Sequence, residues 1–384
     1  MHFIQANQIF NGETFLPEQS VLAIHPDGTL QAILNEAEVS QDKIKKYEGI
    51  LCPGFVNAHC HLELSHMKGL IPEHTGLPNF AKHIIIERNA LLSITPLEAQ
   101  QEADSAMWEK GIVAVGDISN GNASFEVKEK SSIHYHTFIE LIGLNPANCS
   151  DIFEKGLVLL GELTAKGLKG SLSPHAAYST SLELIRKIAE YNSFQKLTLS
   201  IHNQESQEEN RFFMGEPGGF NDLFKFLQLD ITWFRAPNMS SLMYYSSELH
   251  TTPVMFVHNT YSSAGDITLA QAQNRYWCFC PSANLYIEKT LPDYTLFKSL
   301  KSNICIGTDS LASNTTLDVL YECNLILRHS GVFKPEELLR ANTFNNAHAL
   351  GISDSFGSLI PGKNTGLNLI RLNENQLEFI KKIH

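Results

Sequence analysis

Five apolar segments of this 384-residue chain each end in a histidine or an aspartate, and this pattern limits the folds open to it. The first, from Leu51 to Val56, leads into His59 and His61, which lie two positions apart and so face one side of a strand. The other four segments end, in chain order, at His175, His202, His258 and Asp309. A strand that ends in one polar residue is typical of an active site at the carboxyl face of a barrel. Each residue alone could be a satisfied core residue, but five such strand ends in order favour a shared site.

The order of predicted elements indicates the fold class. Residues 1 to about 50 alternate short β-like runs with turn signals. From Leu51 onward, strands alternate with amphipathic helices, which favours an α/β protein built on a closed (β/α)8 TIM-like barrel. A turn and a strand follow near the C-terminus, so we expect both terminal segments to join in a small β-sandwich. The predicted domains are the sandwich, from residues 1–52 and 351–384, and the barrel, from residues 53–350.

Net charge, apolar run length and cysteine content indicate the class of partner and the cellular compartment. The formal net charge of −12 disfavours nucleic acid and anionic membranes as partners. No apolar run reaches the roughly 18 residues of a transmembrane helix, and the N-terminus lacks the pattern of a signal peptide. The seven cysteines are scattered without a CxxC pair, which fits reduced thiols. We therefore expect a cytoplasmic protein with a small-molecule substrate, and the sequence leaves a homodimer open.

The motifs around these strand ends resemble a known family. They read PGFVNAHCHLELS, SLSPHAAYS, SIHNQES, FVHNT, CPSANLYI and IGTDSLASN. Together they are similar to the amidohydrolase superfamily, in particular its deaminase and chlorohydrolase branch. The resemblance implies one divalent metal ion per chain, zinc or, as the alternative, iron, bound by His59, His61, His202 and Asp309. His175 stands where other branches have a carboxylated lysine that bridges two metals, so a mononuclear site is expected.

The predicted ligands suit the activation of water. Three imidazoles, one carboxylate and an open position fit a divalent metal that lowers the pKa of bound water from about 15.7 towards 7. Glu205, three residues after His202, is predicted to take the water proton and deliver it to a ring nitrogen of the substrate. His258 is expected to contact the attacking water, and Asp309 to accept a hydrogen bond from it. The resemblance implies hydroxide attack on an amidine-like carbon with loss of ammonia. Glu205 alone could equally be a carboxylate at a helix N-terminus.

The substrate is indicated by resemblance only. The HLELS continuation is similar to the aminofutalosine deaminase-like group, which acts on 6-aminopurine nucleosides with enlarged 5′ substituents. By that resemblance His175, Glu87 and Glu140 are predicted to contact the substrate. Glu87 could instead be a solvated surface residue, and Glu140 a structural ion-pair partner. A deaminase or chlorohydrolase of a free base or triazine-like heterocycle is the alternative enzyme, and a non-catalytic scaffold with the same fold is the alternative class.

A long segment after Glu205 could gate the site. Phe212 and Phe213 precede the glycine-rich turn 215–219, and this composition suggests a lid over a barrel mouth. A surface helix pair is the other interpretation of the same residues.

Overall fold

The computed structural model describes residues 1–88, 94–249, 251–272 and 274–384. Within these residues the strands are β1 (His2–Ile9), β2 (Ser20–Ile24), β3 (Leu30–Asn35), β4 (Ile44–Pro53), β5 (Phe55–Cys60), β6 (Ile112–Ser119), β7 (His134–Leu141), β8 (Lys169–Pro174), β9 (Leu199–Asn203), β10 (Val254–His258), β11 (Arg275–Phe279), β12 (Asn303–Ile306), β13 (Leu367–Asn373) and β14 (Gln376–Lys382). The α-helices are α1 (Leu77–Glu87), α2 (Pro96–Glu109), α3 (Phe125–Lys130), α4 (Cys149–Ala165), α5 (Leu182–Gln195), α6 (Gln207–Phe213), α7 (Gly219–Phe226), α8 (Ser241–Tyr245), α9 (Ala264–Ala270), α10 (Pro281–Glu288), α11 (Tyr294–Ser299), α12 (Val319–His329), α13 (Pro335–Arg340) and α14 (Asn346–Ala349).

Strands β5 to β12 form a closed parallel barrel. β5, β6, β7 and β8 pair in that order, and so do β9, β10, β11 and β12. Parallel bridges from Ala176 to His202 and from Cys60 to Asp309 join the two halves. The predicted (β/α)8 barrel is confirmed, and both closing bridges include predicted metal ligands. The closure of the barrel therefore also brings those ligands together.

The barrel strands and helices follow from the sequence pattern. Every residue of β5, β9 and β10 is buried, as expected for parallel strands that are covered on both faces. Helix α5 shows the complementary pattern: its N-cap Ser181 accepts a hydrogen bond from the amide of Leu184. Leu184, Ile185 and Ile188 then face the barrel at helical spacing. None of the helices in the described ranges is both long and apolar enough to cross a membrane.

The two terminal segments share one six-stranded sheet, in the order β14-β13-β4-β1-β2-β3. β4 lies at its centre, parallel to β1 and antiparallel to β13, so the C-terminus packs beside the N-terminal strands as expected. Only Gly54 separates β4 from the first barrel strand. A Cβ at this position would lie 2.5 Å from Val113 Cγ1, so the tight join between sheet and barrel requires glycine.

The segment after Glu205 folds into the short helices α6, α7 and α8. Phe212 stacks on Phe234 with ring centroids 4.7 Å apart, and Phe213 contacts Tyr244 at 4.9 Å. Both phenylalanines are buried in this aromatic cluster, because its rings cover one another rather than the site. The structure thus differs from the predicted role of Phe212 and Phe213 as a cover over substrate, and agrees with the helix-pair interpretation.

Candidate metal centre and active site

Four predicted metal ligands converge at the carboxyl ends of barrel strands. His61 Nε2 lies 3.1 Å from His59 Nε2 and 3.2 Å from His202 Nε2. Asp309 Oδ1 lies 3.3 Å from His61 Nε2 and 3.6 Å from His59 Nε2. In tetrahedral zinc sites, ligand atoms about 2.0–2.1 Å from the metal are roughly 3.3–3.4 Å from one another. The four observed spacings, out of the six edges of a tetrahedron, are close to this value.

The protonation states of these side chains also suit the binding of a metal ion. Burial lowers the pKa of His61 to about 3 and drives the pKa of His202 well below its ordinary value, so both rings are neutral. Neutral imidazole is the form that binds a metal. Burial alone would raise the pKa of Asp309, but the hydrogen bond and charges of the neighbouring histidines hold it below its ordinary value. The donor set therefore offers neutral nitrogens and one carboxylate.

Backbone and side-chain partners orient these ligands. His202 Nδ1 donates to the carbonyl oxygen of His175 at 2.9 Å, which leaves Nε2 free to bind a metal. Asp309 Oδ2 accepts from the Ser313 hydroxyl at 2.5 Å, which leaves Oδ1 facing the histidines. His59 Nδ1 is buried, with no hydrogen-bond partner in the described ranges. Sequence reasoning missed Ser313 in this role, although it lies in the IGTDSLASN motif.

Glu205 and His258 face each other beside the ligand cluster. Glu205 Oε2 lies 3.6 Å from His258 Nε2, and both side chains are buried. Burial raises the pKa of Glu205 well above its ordinary value and lowers that of His258 to about 4. His258 Nδ1 donates to Asn284 Oδ1 at 2.9 Å, so its Nε2 points toward Glu205. Asn284 is a second partner that sequence reasoning missed.

Four residues at these strand ends have left-handed backbone geometry. The φ angles are 46° at Gln204, 76° at His258, 59° at Asn259 and 56° at Asp309. Such angles are uncommon outside glycine and are concentrated at functional sites. The backbone turns that present Glu205, His258 and Asp309 to the cavity are therefore held by their surroundings.

A buried amide network holds the turn before Glu205. Asn203 Oδ1 accepts from the Tyr245 hydroxyl at 2.8 Å, and Asn203 Nδ2 donates to Asn259 Oδ1 at 3.0 Å. Gln204 Oε1 accepts from the Ser262 hydroxyl at 2.6 Å. These contacts join β9 to β10 at their carboxyl ends. They explain how non-glycine residues maintain the strained turn.

A cavity of about 220 Å³ opens over this cluster, here called the catalytic cavity. Its lining includes Glu205, His258, Asp309, His61 and His202. The structure therefore brings together every residue predicted as a metal ligand or acid–base group, with the fully buried His59 behind the others.

The predicted substrate contacts fall in different places. His175 and Glu140 line the catalytic cavity, and Glu140 Oε1 lies 3.4 Å from His202 Nδ1. Glu87, half-buried on the last turn of α1, is not among the lining residues described, whereas its neighbour Arg88 is. Arg88 Nη2 lies 3.3 Å from Glu63 Oε2, so its charge is paired. The role of Glu87 stays a prediction.

An eight-stranded parallel barrel with a buried His/Asp cluster at its carboxyl face defines a metal-dependent hydrolase. The amidohydrolase family model matches residues 50–382, so the chain belongs to the amidohydrolase family. This membership confirms the predicted resemblance and makes the chain a hydrolase of carbon–nitrogen bonds, as expected. The family depends on divalent metals, in agreement with the donor set.

Similar proteins of known function include deaminases. An aminodeoxyfutalosine deaminase of a Nitratiruptor species is 25% identical, over 97% of this chain and 92% of that protein. An adenosine deaminase of Helicobacter pylori is also 25% identical, over 85% of this chain and 80% of that protein. These are proteins that the chain resembles in sequence over most of its length.

Solved structures share the fold. Helicobacter pylori aminofutalosine deaminase in complex with methylthio-coformycin superposes with a TM-score of 0.82 at 22% identity, covering 98% of this chain and 93% of that one. Atrazine chlorohydrolase from Arthrobacter aurescens TC1, complexed with zinc, gives a TM-score of 0.76 at 16% identity over 97% and 88% of the two chains. Both confirm the architecture of barrel and terminal sheet.

Proposed function

We propose that this protein hydrolytically deaminates a 6-aminopurine nucleoside that carries a 5′ substituent. One observation carries the proposal: the buried Glu205 carboxylate and the His258 imidazole face each other in the cavity where the His/Asp cluster converges. The sequence relatives, which include aminodeoxyfutalosine and adenosine deaminases, support a nucleoside as the substrate. The family supports hydrolysis at a carbon–nitrogen bond.

The residues that would hold the metal are His59, His61, His202 and Asp309, and zinc, with iron as the alternative, suits this nitrogen-rich set. When bound there, the ion supplies a Lewis acid that makes water a nucleophile near neutral pH. The imidazole rings around this position are buried, which limits the access of bulk water to the ion.

Glu205 moves the proton. Its carboxylate faces the cavity, and burial raises its pKa, which makes the ionised carboxylate a stronger acceptor for a proton of the attacking water; Glu205 then passes this proton to the substrate. The acceptor is a purine ring nitrogen next to the carbon under attack. Protonation there lets the ring carbon accept the water oxygen.

His258 and Asp309 position the attacking water. His258 donates from Nδ1 to Asn284, which fixes its ring and aims Nε2 at the space beside Glu205. Asp309 is fixed by Ser313 and offers an acceptor in the same space. The oxygen adds to the purine carbon that bears the amino group, that carbon–nitrogen bond breaks, and ammonia leaves with the second proton. The product is a 6-oxopurine nucleoside.

Ammonia release from a substrate panel tests this proposal. The panel contains adenosine, 5′-substituted adenosines, free adenine and an aminotriazine, each incubated with protein of measured metal content. We expect ammonia from the nucleosides and at least tenfold lower kcat/KM for the free bases. A preference for adenine or the triazine would favour the alternative substrate class. No ammonia from any compound, with one metal bound per chain, would contradict the deaminase proposal.

A further inference from the structure

A second cavity lies beside the catalytic cavity and has a different character. It has a volume of about 420 Å³, roughly twice that of its neighbour. It is here called the apolar annex, and its characteristic lining residues are Ile85, Ile142, Ile152, Leu223, Leu227 and Leu229. We propose that the annex binds an uncharged, apolar 5′ substituent of the substrate and selects against an anionic one. This inference rests on the proposed function.

The position of the annex suits a substituent attached to the reacting nucleoside. Ala81, Ile85, Ile142, His175 and Tyr178 line both cavities. His175 is at this junction, with its ring centroid 5.0 Å from that of His202. If the 6-amino group of a nucleoside lies at the His/Asp cluster, its 5′ substituent would therefore extend past His175 into the annex.

The lining of the annex offers no cation to an anionic group. Lysine and arginine are absent from its described lining residues. Asp230 at the rim is the charged residue, and hydrogen bonds from Thr232 lower its pKa, so it remains an anion. Of the nearby cations, Arg88 is paired with Glu63, and Lys82 lies over the Phe226 ring at 4.5 Å. A carboxylate in the annex would lose water without gaining a cationic partner.

The rim of the annex exposes apolar side chains that a ligand would cover. Ile85, Ile142 and Leu229 are 48%, 55% and 47% exposed, although all three are large and apolar. Neighbouring exposed apolar residues of this kind mark binding sites. Their continuity with the catalytic cavity favours a part of the substrate as occupant over a protein partner.

A matched substrate series tests the charge selection. It contains adenosine, 5′-methylthioadenosine, 5′-phenylthioadenosine and a 5′-(carboxyphenyl)thioadenosine of nearly the same size. We expect kcat/KM for the methylthio and phenylthio compounds to exceed that for adenosine about tenfold or more. The carboxyphenyl compound should return to the level of adenosine or below.

Leu229→Lys provides the matching variant, because Leu229 lines the annex but not the catalytic cavity, and its exposed position tolerates a charge. We expect Leu229→Lys to lower kcat/KM for the phenylthio compound and to raise it for the carboxyphenyl compound. Leu269→Lys, at a 56% exposed position on α9, is the control.

The outcomes separate the two proposals. Equal kcat/KM for all four nucleosides, or preference for the carboxyphenyl compound, overturns the annex assignment while the deaminase function stands. A Leu229→Lys variant with unchanged substrate ratios also overturns it, and points instead to a docking surface. If none of the nucleosides, adenosine included, is deaminated, the proposed function is overturned and the annex assignment with it.

Discussion

Lys128 Nζ and Asp117 Oδ2 form a fully buried ion pair, 2.5 Å apart, beneath the strand end that presents His59 and His61. Asp117 Oδ1 accepts from the amide of Leu62 at 2.7 Å, directly after His61. Lys128 also donates to Ser119 at 2.8 Å. The pair therefore connects β6 and α3 to the backbone that holds the predicted metal ligand His61.

Replacement of this lysine should weaken both the fold and the metal site. Lys128→Met leaves the Asp117 carboxylate buried and unpaired, which costs about 3–5 kcal/mol of unfolding free energy. We also expect faster metal loss to a chelator, because the backbone at His61 loses its anchor. Urea unfolding and metal release measure the two effects. Lys130→Met, which removes an exposed pair with Glu126, is the control and should change neither. Unchanged metal release in a folded Lys128→Met protein would contradict the anchoring role.

The metal content of the purified protein should be about one zinc or iron per chain. Asp309→Ala removes the carboxylate that faces two histidines and should lower the metal content severalfold, as elemental analysis can measure. His25→Ala, at an exposed histidine directly after β2, is the control. Two fully occupied metals per chain with a modified lysine between them would contradict the mononuclear site.

Glu205→Gln should separate catalysis from metal binding. The amide cannot take up a proton, so kcat should fall roughly 10²–10⁴-fold while the metal stays bound. Glu209→Gln is the matched control: Glu209 is also buried, four residues further along, but is not among the described residues that line the catalytic cavity. Near-normal kcat for Glu205→Gln would indicate instead that this carboxylate serves at the N-terminus of α6.

The barrel and the convergence of its strand-end histidines and aspartate could be predicted because they depend on local patterns. Apolar runs that end in His59, His61, His202 or Asp309 indicate strands, and parallel strands place their carboxyl ends together. The partners of these residues could not be predicted in the same way. Asn284 contacts His258 from a helix 26 residues away, and no spacing rule links the two.

The annex and the predicted lid show the same limit of prediction from sequence. Leu223 and Leu227 have the apolar pattern of any amphipathic helix, and only the packing of α7 beside α1 makes them line a cavity. Phe212 and Phe213 have the composition of a lid, but the structure contains enough aromatic partners nearby to bury them. Composition identifies an apolar segment, whereas tertiary packing decides which of its faces meets the ligand.

Phe212→Ala should therefore act on stability rather than on substrate choice. The change removes a buried ring that stacks on Phe234, at a cost of about 3–5 kcal/mol in unfolding free energy. We expect kcat/KM to fall by the same factor for adenosine and for a 5′-substituted adenosine. Phe194→Ala, at an 85% exposed ring on α5, is the control for melting temperature. A larger loss for the 5′-substituted compound, with unchanged stability, would restore the lid interpretation.

Stability should depend on pH through Glu209. Burial raises the pKa of Glu209 from 4.5 to about 7. Between these two values the folded protein keeps a proton that the unfolded chain has released, so this residue's contribution to unfolding free energy decreases as pH rises and levels off above about 7. Glu209→Gln cannot titrate and should reduce the slope by up to about 1.4 kcal/mol per pH unit in that window. Urea unfolding at a series of pH values from below to above this window measures the change of unfolding free energy with pH. Glu190→Gln, at an exposed position on α5, is the control. An identical slope in Glu209→Gln and the unaltered protein would show that Glu209 ionises at its ordinary pKa, and that the buried turn after Glu205 admits water.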